Sequence, residues 1–365
     1  ADREKVFSHR YMSNNSVKCM PGSDYREIVD AMLENGDPGI FWLHNAQRYG
    51  RMNGLYDPSD MNAEGANPCV EQTLWNNELC NLVETFPGRH DSLHSYMRTL
   101  KMAYFYAKIV TLMKTGFSDV DAIIEQNRRI GCSQTGIIKA FQKHGRHTML
   151  DWCDKSYDFL TGLDADYSCW LDIPRSIKRT SIKPSGTVPL LPGETGALNY
   201  SISEYYYRTM RIDADHPVIE ELDKAGYRIE PNQYGKGAKN KTMVVYFPIH
   251  DQTFERGVQD VSMWEQLENA AAYQEHWADN QVSSTINFSE KEARDIPTAL
   301  QMYDKRLKAI SFMPQTTEFH DQMPYMPISA GEYHKYKGGL QEPDFSKLQM
   351  EATVPSGCDA EGCDI

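Results

Sequence analysis

Long apolar runs are missing from this 365-residue chain. Nothing in it approaches the roughly 20 consecutive apolar residues that span a bilayer. Positive charge is also short, with 38 Lys and Arg against 51 Asp and Glu and a net charge of -13. Such a surface offers no diffuse basic field to a nucleic-acid backbone, although a local basic pocket for a small phosphorylated ligand stays open. Neither a membrane nor a nucleic acid is therefore an expected partner. The first residues, Ala1-Asp2-Arg3-Glu4-Lys5, lack the charged and apolar regions of a secretory signal, so the expected compartment is the cytoplasm. Eight cysteines are too sparse for a small disulfide scaffold, and in a reducing compartment they read as thiols. Cys19, Cys132, Cys153 and Cys169 have no paired spacing and read as small core hydrophobes. No metal site is expected. Cys358 and Cys363 have no second pair nearby, and His144 with His147 has no carboxylate or cysteine in register to complete a site. Repeats and low-complexity tracts are absent too.

What is present is an ordinary globular balance, 40% apolar and 24% charged. Helical periodicity runs over 25–33 and, more strongly, through Leu93, Met97, Leu100, Tyr104, Ala107 and Val110, which predicts a buried helix. Between them, 50–79 is rich in Asn, Gly, Asp and Pro. Compact domains rarely carry so long an irregular stretch without a functional reason. The segment 80–86 reads as a short strand stopped by Pro87 and Gly88, and strand-like runs recur at 177–182, 205–212, 242–247, 282–288 and 307–313. Helical patterns fall at 119–128, 148–163, 216–225, 260–277 and 290–306. That alternation predicts an α/β architecture, partly parallel. From about residue 351 periodicity disappears, and the end reads as a flexible tail.

The long loop ends in Asn67-Pro68-Cys69-Val70-Glu71, with a second thiol at Cys80 and a dithiol, Cys358 and Cys363, near the C-terminus. A cysteine two residues from a carboxylate, a separate thiol and a dithiol on a tail make an inventory for radical redox chemistry on a substrate. Here the sequence resembles the large catalytic subunit of ribonucleotide reductases, whose finger loop carries this motif. Further segments, among them Glu34-Asn35-Gly36-Asp37-Pro38, Cys80-Asn81-Leu82-Val83-Glu84, Asn127-Arg128-Arg129-Ile130-Gly131, Lys183-Pro184-Ser185-Gly186-Thr187 and Asp279-Asn280-Gln281-Val282-Ser283, resemble the monomeric adenosylcobalamin-dependent ribonucleoside-triphosphate reductases in the same order.

The resemblance implies the second half of that family's ten-stranded α/β barrel over 1–350, with the finger loop at about 65–79 and a redox tail over 351–365. It implies adenosylcobalamin as cofactor, a ribonucleoside triphosphate as substrate, and thioredoxin or a similar dithiol as reductant. Cys69 would carry the thiyl radical that removes the 3′-hydrogen of the ribose. Glu71 would take the 3′-hydroxyl proton, work that requires a carboxylate within hydrogen-bond reach, and Asn67 would orient the sugar hydroxyls. Cys80 would be one of two thiols that reduce the substrate, and Cys358 with Cys363 would restore them by thiol exchange. Ser185, Gly186 and Thr187 match the substrate-phosphate loop, and small residues at a helix start would expose N–H groups to an anion.

Members using a separate radical subunit carry a tyrosine pair on a late strand, where this chain has Lys308-Ala309-Ile310-Ser311-Phe312-Met313-Pro314. Glycyl-radical members generally lack the finger-loop glutamate. There is no Asp-x-His-x-x-Gly cobalamin motif, which these reductases lack as well. A full member is about twice this length. An N-terminal reductase half is therefore an expected partner, either a second polypeptide from a split gene, in a host's cytoplasm if a phage carries it, or omitted residues. Two alternatives stand beside this reading: a cobalamin-type diphosphate reductase, and a catalytically silent fragment that assembles with a complete reductase.

Overall fold

The computed structural model describes residues 15–233, 241–315 and 321–348. Cys358, Cys363 and the expected tail lie outside the described residues. In chain order the strands are β1 (Ser16–Lys18), β2 (Gly39–Phe41), β3 (Gly65–Ala66), β4 (Thr73–Leu74), β5 (Leu82–Thr85), β6 (Gly131–Gln134), β7 (Thr180–Ser181), β8 (Tyr205–Asp213), β9 (Ile229–Pro231), β10 (Thr242–His250), β11 (Thr285–Phe288), β12 (Ala309–Pro314) and β13 (Tyr325–Pro327). The helices are α1 (Arg26–Asn35), α2 (Leu43–Arg48), α3 (Leu93–Val110), α4 (Ser118–Asn127), α5 (Ile137–His144), α6 (Arg146–Leu171), α7 (Val218–Lys224), α8 (Met263–His276), α9 (Ile296–Tyr303) and α10 (Ala330–Gly339). No helix among the described residues is long and apolar enough to cross a membrane.

These elements form two compact units. One unit takes the described residues up to Asn199 and from Val261 to Gln315; the other takes Tyr200–Asp260 and the described residues from 321 on. In the first, β5, β6 and β7 pair in parallel. A parallel bridge between Ile182 and Val282 continues this run to β11, which pairs in parallel with β12. β12 then meets β2 antiparallel, and β2 lies parallel to β1. Five strands of one sense are thus followed by two of the opposite sense. Helices on this sheet give the parallel strands the cover they need. Fully buried Trp42, Trp277, Tyr25, Tyr96, Tyr104 and Tyr273 lie in the shared core.

In α3, the Ser92 side chain accepts from the backbone N–H of Ser95 and caps the start. Its inner face buries Tyr96, Leu100, Tyr104 and Ala107 at helical spacing. The outer face leaves Met102, Phe105, Tyr106 and Ile109 exposed, so the helix is one-sided rather than wholly buried as its apolar content suggested. The pattern over 290–306 yields the shorter α9, because Pro297 sits in its first turn, where a missing N–H costs nothing. Cys19, Cys132 and Cys153 are buried as expected, whereas Cys169 is exposed on the last turn of α6.

The second unit is an antiparallel sheet in the order β13-β8-β10-β9. β8 and β10 pair along nine residues, from Tyr205 opposite His250 to Asp213 opposite Thr242. Tyr205, Tyr206 and Tyr207 serve packing here, stacking on His250 and contacting Tyr325 and Tyr336 respectively.

Candidate active site

The finger loop is a miniature β-hairpin. Its stems are β3 and β4, with Gly65 opposite Leu74 and Ala66 opposite Thr73, and Asn67 N–H donates to the Gln72 carbonyl at 3.1 Å to close the tip. Pro68, Cys69, Val70 and Glu71 are what that closure encloses. The Asn67 side-chain oxygen accepts from Gln72 N–H at 2.9 Å, so this amide braces the loop itself. Val70 takes φ +61°, a left-handed conformation that is an outlier for a β-branched residue and persists only where its surroundings over-determine it. Its side chain packs on the small cluster of Phe41, Ala46 and Ala309. The turn thereby sets Cys69 and Glu71 on either side of an anchored residue.

A second segment holds the tip from behind. Gln281 N–H donates to the Glu71 carbonyl at 3.1 Å, the Gln281 side chain donates to Thr73 Oγ1 at 2.6 Å, and Ser283 Oγ donates to the Cys69 carbonyl at 2.6 Å. Gln72 is wholly buried and exchanges two bonds with the backbone of Asn81, each 3.1 Å, tying the tip to the chain entering β5.

Glu71 is 3% exposed, and its Oε2 has no hydrogen-bond partner. Burial pushes its carboxyl above the usual range, while the Asn67 side chain and the charge of Lys183 pull it back. An ionisable oxygen that is buried, unpartnered and raised in pKa suits proton transfer. Cys80 stands just before β5. It is exposed by area, but it lines a cavity of about 310 Å³ with Leu79, Val110, Met113 and Ile124. Its thiol is nonetheless pushed up to about 12, first by desolvation within that concave wall and then by the charges of Glu71 and Cys69, with Lys183 and Arg129 opposing. Cys69, Glu71, Cys80 and Lys183 therefore share one electrostatic neighbourhood. No disulfide joins the six described cysteines.

Lys183 opens the expected phosphate loop and reaches Glu84 at 3.4 Å. Ser185 is buried with an unpartnered hydroxyl, while Gly186 is half-buried and Thr187 exposed. Beyond them lies only a single 3-10 turn, Val188–Leu190, so the expected helix start is absent and no helix dipole adds to the site. The backbone N–H groups of Ser185, Gly186, Thr187 and Val188 donate to nothing among the described residues, and they are what remains for an anion. Gly196 backs the loop so closely that a Cβ there would lie 2.1 Å from the Ser185 carbonyl oxygen.

No family model matches the chain. A protein of Dictyostelium discoideum described as a probable adenosylcobalamin-dependent ribonucleoside-triphosphate reductase is 45% identical over 367 residues, covering 98% of this chain and 48% of that protein. The adenosylcobalamin-dependent ribonucleoside-triphosphate reductase of Euglena gracilis is 43% identical, covering 97% of this chain and 49% of its own. A crystal structure of a B-12 dependent (class II) ribonucleotide reductase superposes with a TM-score of 0.83 at 31% identity, over 93% of this chain and 52% of that one. By sequence and fold, this chain belongs to the class II ribonucleotide reductase family. It spans about half the length of the curated relatives it matches.

Within this reductase fold, Cys69, Glu71, Asn67 and Cys80 are residues that the sequence reading named. Lys183, Gln281 and Ser283 lay inside segments whose likeness was noted, but no role had been attached to them. Arg129, buried, likewise lay in a segment whose likeness was noted without a role, whereas Asp60 and Glu78, both buried, lay in none; a signal was available in charged residues on both flanks of a loop that must be held still.

Proposed function

We propose that this chain is the finger-loop half of an adenosylcobalamin-dependent ribonucleoside-triphosphate reductase, acting in the cytoplasm. The observation that carries the reading is the pairing, on one braced tip, of Cys69 with a buried Glu71 whose Oε2 is unpartnered, beside a second thiol at Cys80 that feels both. The names of the relatives support the triphosphate substrate and the cofactor.

Among the described residues, no group of three His, Cys, Asp or Glu side chains is placed to hold a metal ion. Cys69, half-buried on the braced tip, is the side chain that would meet adenosylcobalamin. When bound, adenosylcobalamin supplies the one-electron oxidation that turns a thiol into a thiyl radical.

As the thiyl radical, Cys69 takes the hydrogen atom from ribose C3′ and later returns it. Glu71 accepts the 3′-hydroxyl proton, which directs electron density toward C2′ and lets the 2′-hydroxyl leave as water. Two thiols, Cys80 and one supplied by the complementary half, give up two electrons and two protons and end as a disulfide. The net change is a ribonucleotide and two thiols to a deoxyribonucleotide, water and a disulfide. Cys358 and Cys363, or an external dithiol such as thioredoxin, then reduce that disulfide through a mixed disulfide. The N–H groups of 185–188 and the hydroxyls of Ser185 and Thr187 would hold the substrate phosphates.

Support for a complement comes from the sheet and from α3. β5 pairs with β6 on one side, and its other edge has no strand among the described residues. Nearby α3 leaves Met102 and Tyr106 each 66% exposed, an apolar surface of the kind that marks an interface. The deciding experiment mixes this chain with a polypeptide supplying the other half, then adds adenosylcobalamin, dithiothreitol and a ribonucleoside triphosphate. Deoxynucleotide should form, and Cys69→Ser should abolish it. A Cys69→Ser protein that still reduces nucleotide, or full activity of this chain alone as a monomer, would overturn the corresponding part of the reading.

A further inference from the structure

Below the hairpin lies a buried charge cluster that the chemistry above does not use. The Arg129 guanidinium places Nη2 and Nη1 on the two oxygens of Asp60 at 2.6 and 2.8 Å. Its Nε and Nη2 also reach the two oxygens of Glu78 at 2.9 and 3.1 Å, and Nη1 reaches Asn280 Oδ1 at 3.3 Å. All five N–H donors of an arginine are thereby engaged. The three side chains are essentially closed to solvent, at 1%, 0% and 1% side-chain exposure.

The placement of the two carboxylates gives the cluster its meaning. Asp60 precedes β3 and Glu78 follows β4, so one guanidinium grips both stems of the hairpin. Trp75, directly after β4, donates its indole N–H to Asp60 at 2.9 Å and its backbone N–H to Glu78 at 2.8 Å. On the far side Asn280 donates to the carbonyls of Ile130 and Thr180 at 3.0 and 2.9 Å, and its neighbour Gln281 holds the Glu71 carbonyl. Base and tip of the hairpin are thus fixed to the same two strands through adjacent residues. Only a planar fork with five donors can satisfy two carboxylates and an amide at once; a lysine would keep the charge and lose the geometry.

We propose that Arg129 is a positioning residue for the finger hairpin, clamping its two stems through Asp60 and Glu78 so that Cys69 and Glu71 are held in register with Cys80. The inference rests on the reading of Cys69 and Glu71 as reacting groups, but its first test does not need turnover. In the full chain, Arg129→Lys should speed hydrogen exchange of amides 61–79 by roughly tenfold while the β10 amides stay unchanged, as a local opening would. Alkylation of Cys69 by iodoacetamide should accelerate in parallel. With complement, cofactor and nucleotide present, kcat should fall by about 100-fold with KM unchanged, since the phosphate-binding groups are untouched.

Unchanged hairpin exchange and unchanged Cys69 alkylation in Arg129→Lys would overturn the clamp, as would a rise in KM at constant kcat. Should Arg129→Lys not fold, the uncharged triple variant Asp60→Asn, Glu78→Gln, Arg129→Gln takes its place, because it leaves no buried charge without a partner. A loosened hairpin there supports the clamp, and one protected as in the parent overturns it. Residual nucleotide reduction by Cys69→Ser would sink the catalytic reading alone, leaving the exchange and alkylation results to decide the clamp.

Discussion

The finger hairpin and the segment 183–187 sit beside one another through Lys183, yet they handle their polar groups in opposite ways. At the hairpin tip, the carbonyls of Asn67, Cys69 and Glu71 all accept hydrogen bonds, and the side chains of Asn67 and Gln72 are turned inward to hold the loop. Along 185–188, four successive N–H groups have no acceptor among the described residues. A loop that must present one sulfur and one carboxylate at fixed positions gains from satisfying everything else, because misplacement of a reacting atom by an ångström is costly. A loop that must receive an anion gains from leaving donors available. The two loops should therefore fail differently when altered, the first through kcat and the second through KM.

The sharpest break is at Glu71. Glu71→Gln removes the proposed proton acceptor and should lower kcat by about 10²- to 10⁴-fold with little change in KM. The parent's rate should also fall as pH drops through a value above the ordinary carboxylate range, because burial raises this carboxyl. A parent pH profile without that limb, or one matched by Glu71→Gln, would remove Glu71 from the chemistry. Next comes the bond behind the tip. Ser283→Ala deletes the donor to the Cys69 carbonyl and should cost roughly tenfold in kcat, about 1.4 kcal/mol.

The proposed phosphate loop gives the contrasting case. Gly196→Ala drives a methyl into the Ser185 carbonyl and should destabilise by about 1–3 kcal/mol. Its kinetic signature should be a KM raised by about tenfold with kcat nearly held; loss confined to kcat would erase the distinction between the loops. The smallest effect is on stability in acid. Burial raises Asp57, but Lys178 and the Ser59 bonds more than compensate and bring it from an ordinary 3.8 to about 2. A carboxyl lowered by folding contributes stability above its unfolded value and loses it as pH falls through the folded one. Urea midpoints should therefore decline between about pH 4 and pH 2, and Asp57→Asn should flatten that decline. An equal slope in both proteins would show that the Lys178 pairing does not hold this end of the long loop.

Much of the chemistry was legible before any coordinates. Asn67, Cys69, Glu71 and Cys80, the groups proposed to react or to orient the substrate, stand out in the sequence because such groups are a matter of residue identity at short spacing. α3 was legible because its apolar period is local, and so were the strands at 205–212 and 242–247, though not their pairing. β6 was not: Gly-Cys-Ser-Gln has neither alternation nor β-branched residues, and all four are buried only because β5 and β7 flank them. β1 and β2, three residues each, exist through their pairing. The helix expected after Thr187 shrank to one turn, since small residues permit a helix start without enforcing one.

By itself the sequence determined which candidate reacting groups are present: a thiol and a carboxylate on one loop, a second thiol ahead of a strand, and hydroxyls beside a glycine. Only the tertiary structure decided how those atoms are held. Arg129 meets Asp60 and Glu78 across 69 and 51 residues of chain, and Ser283 meets Cys69 across 214. Reactivity belongs to a side chain and travels with its name, whereas position is set by partners distant in sequence, and no local pattern encodes them.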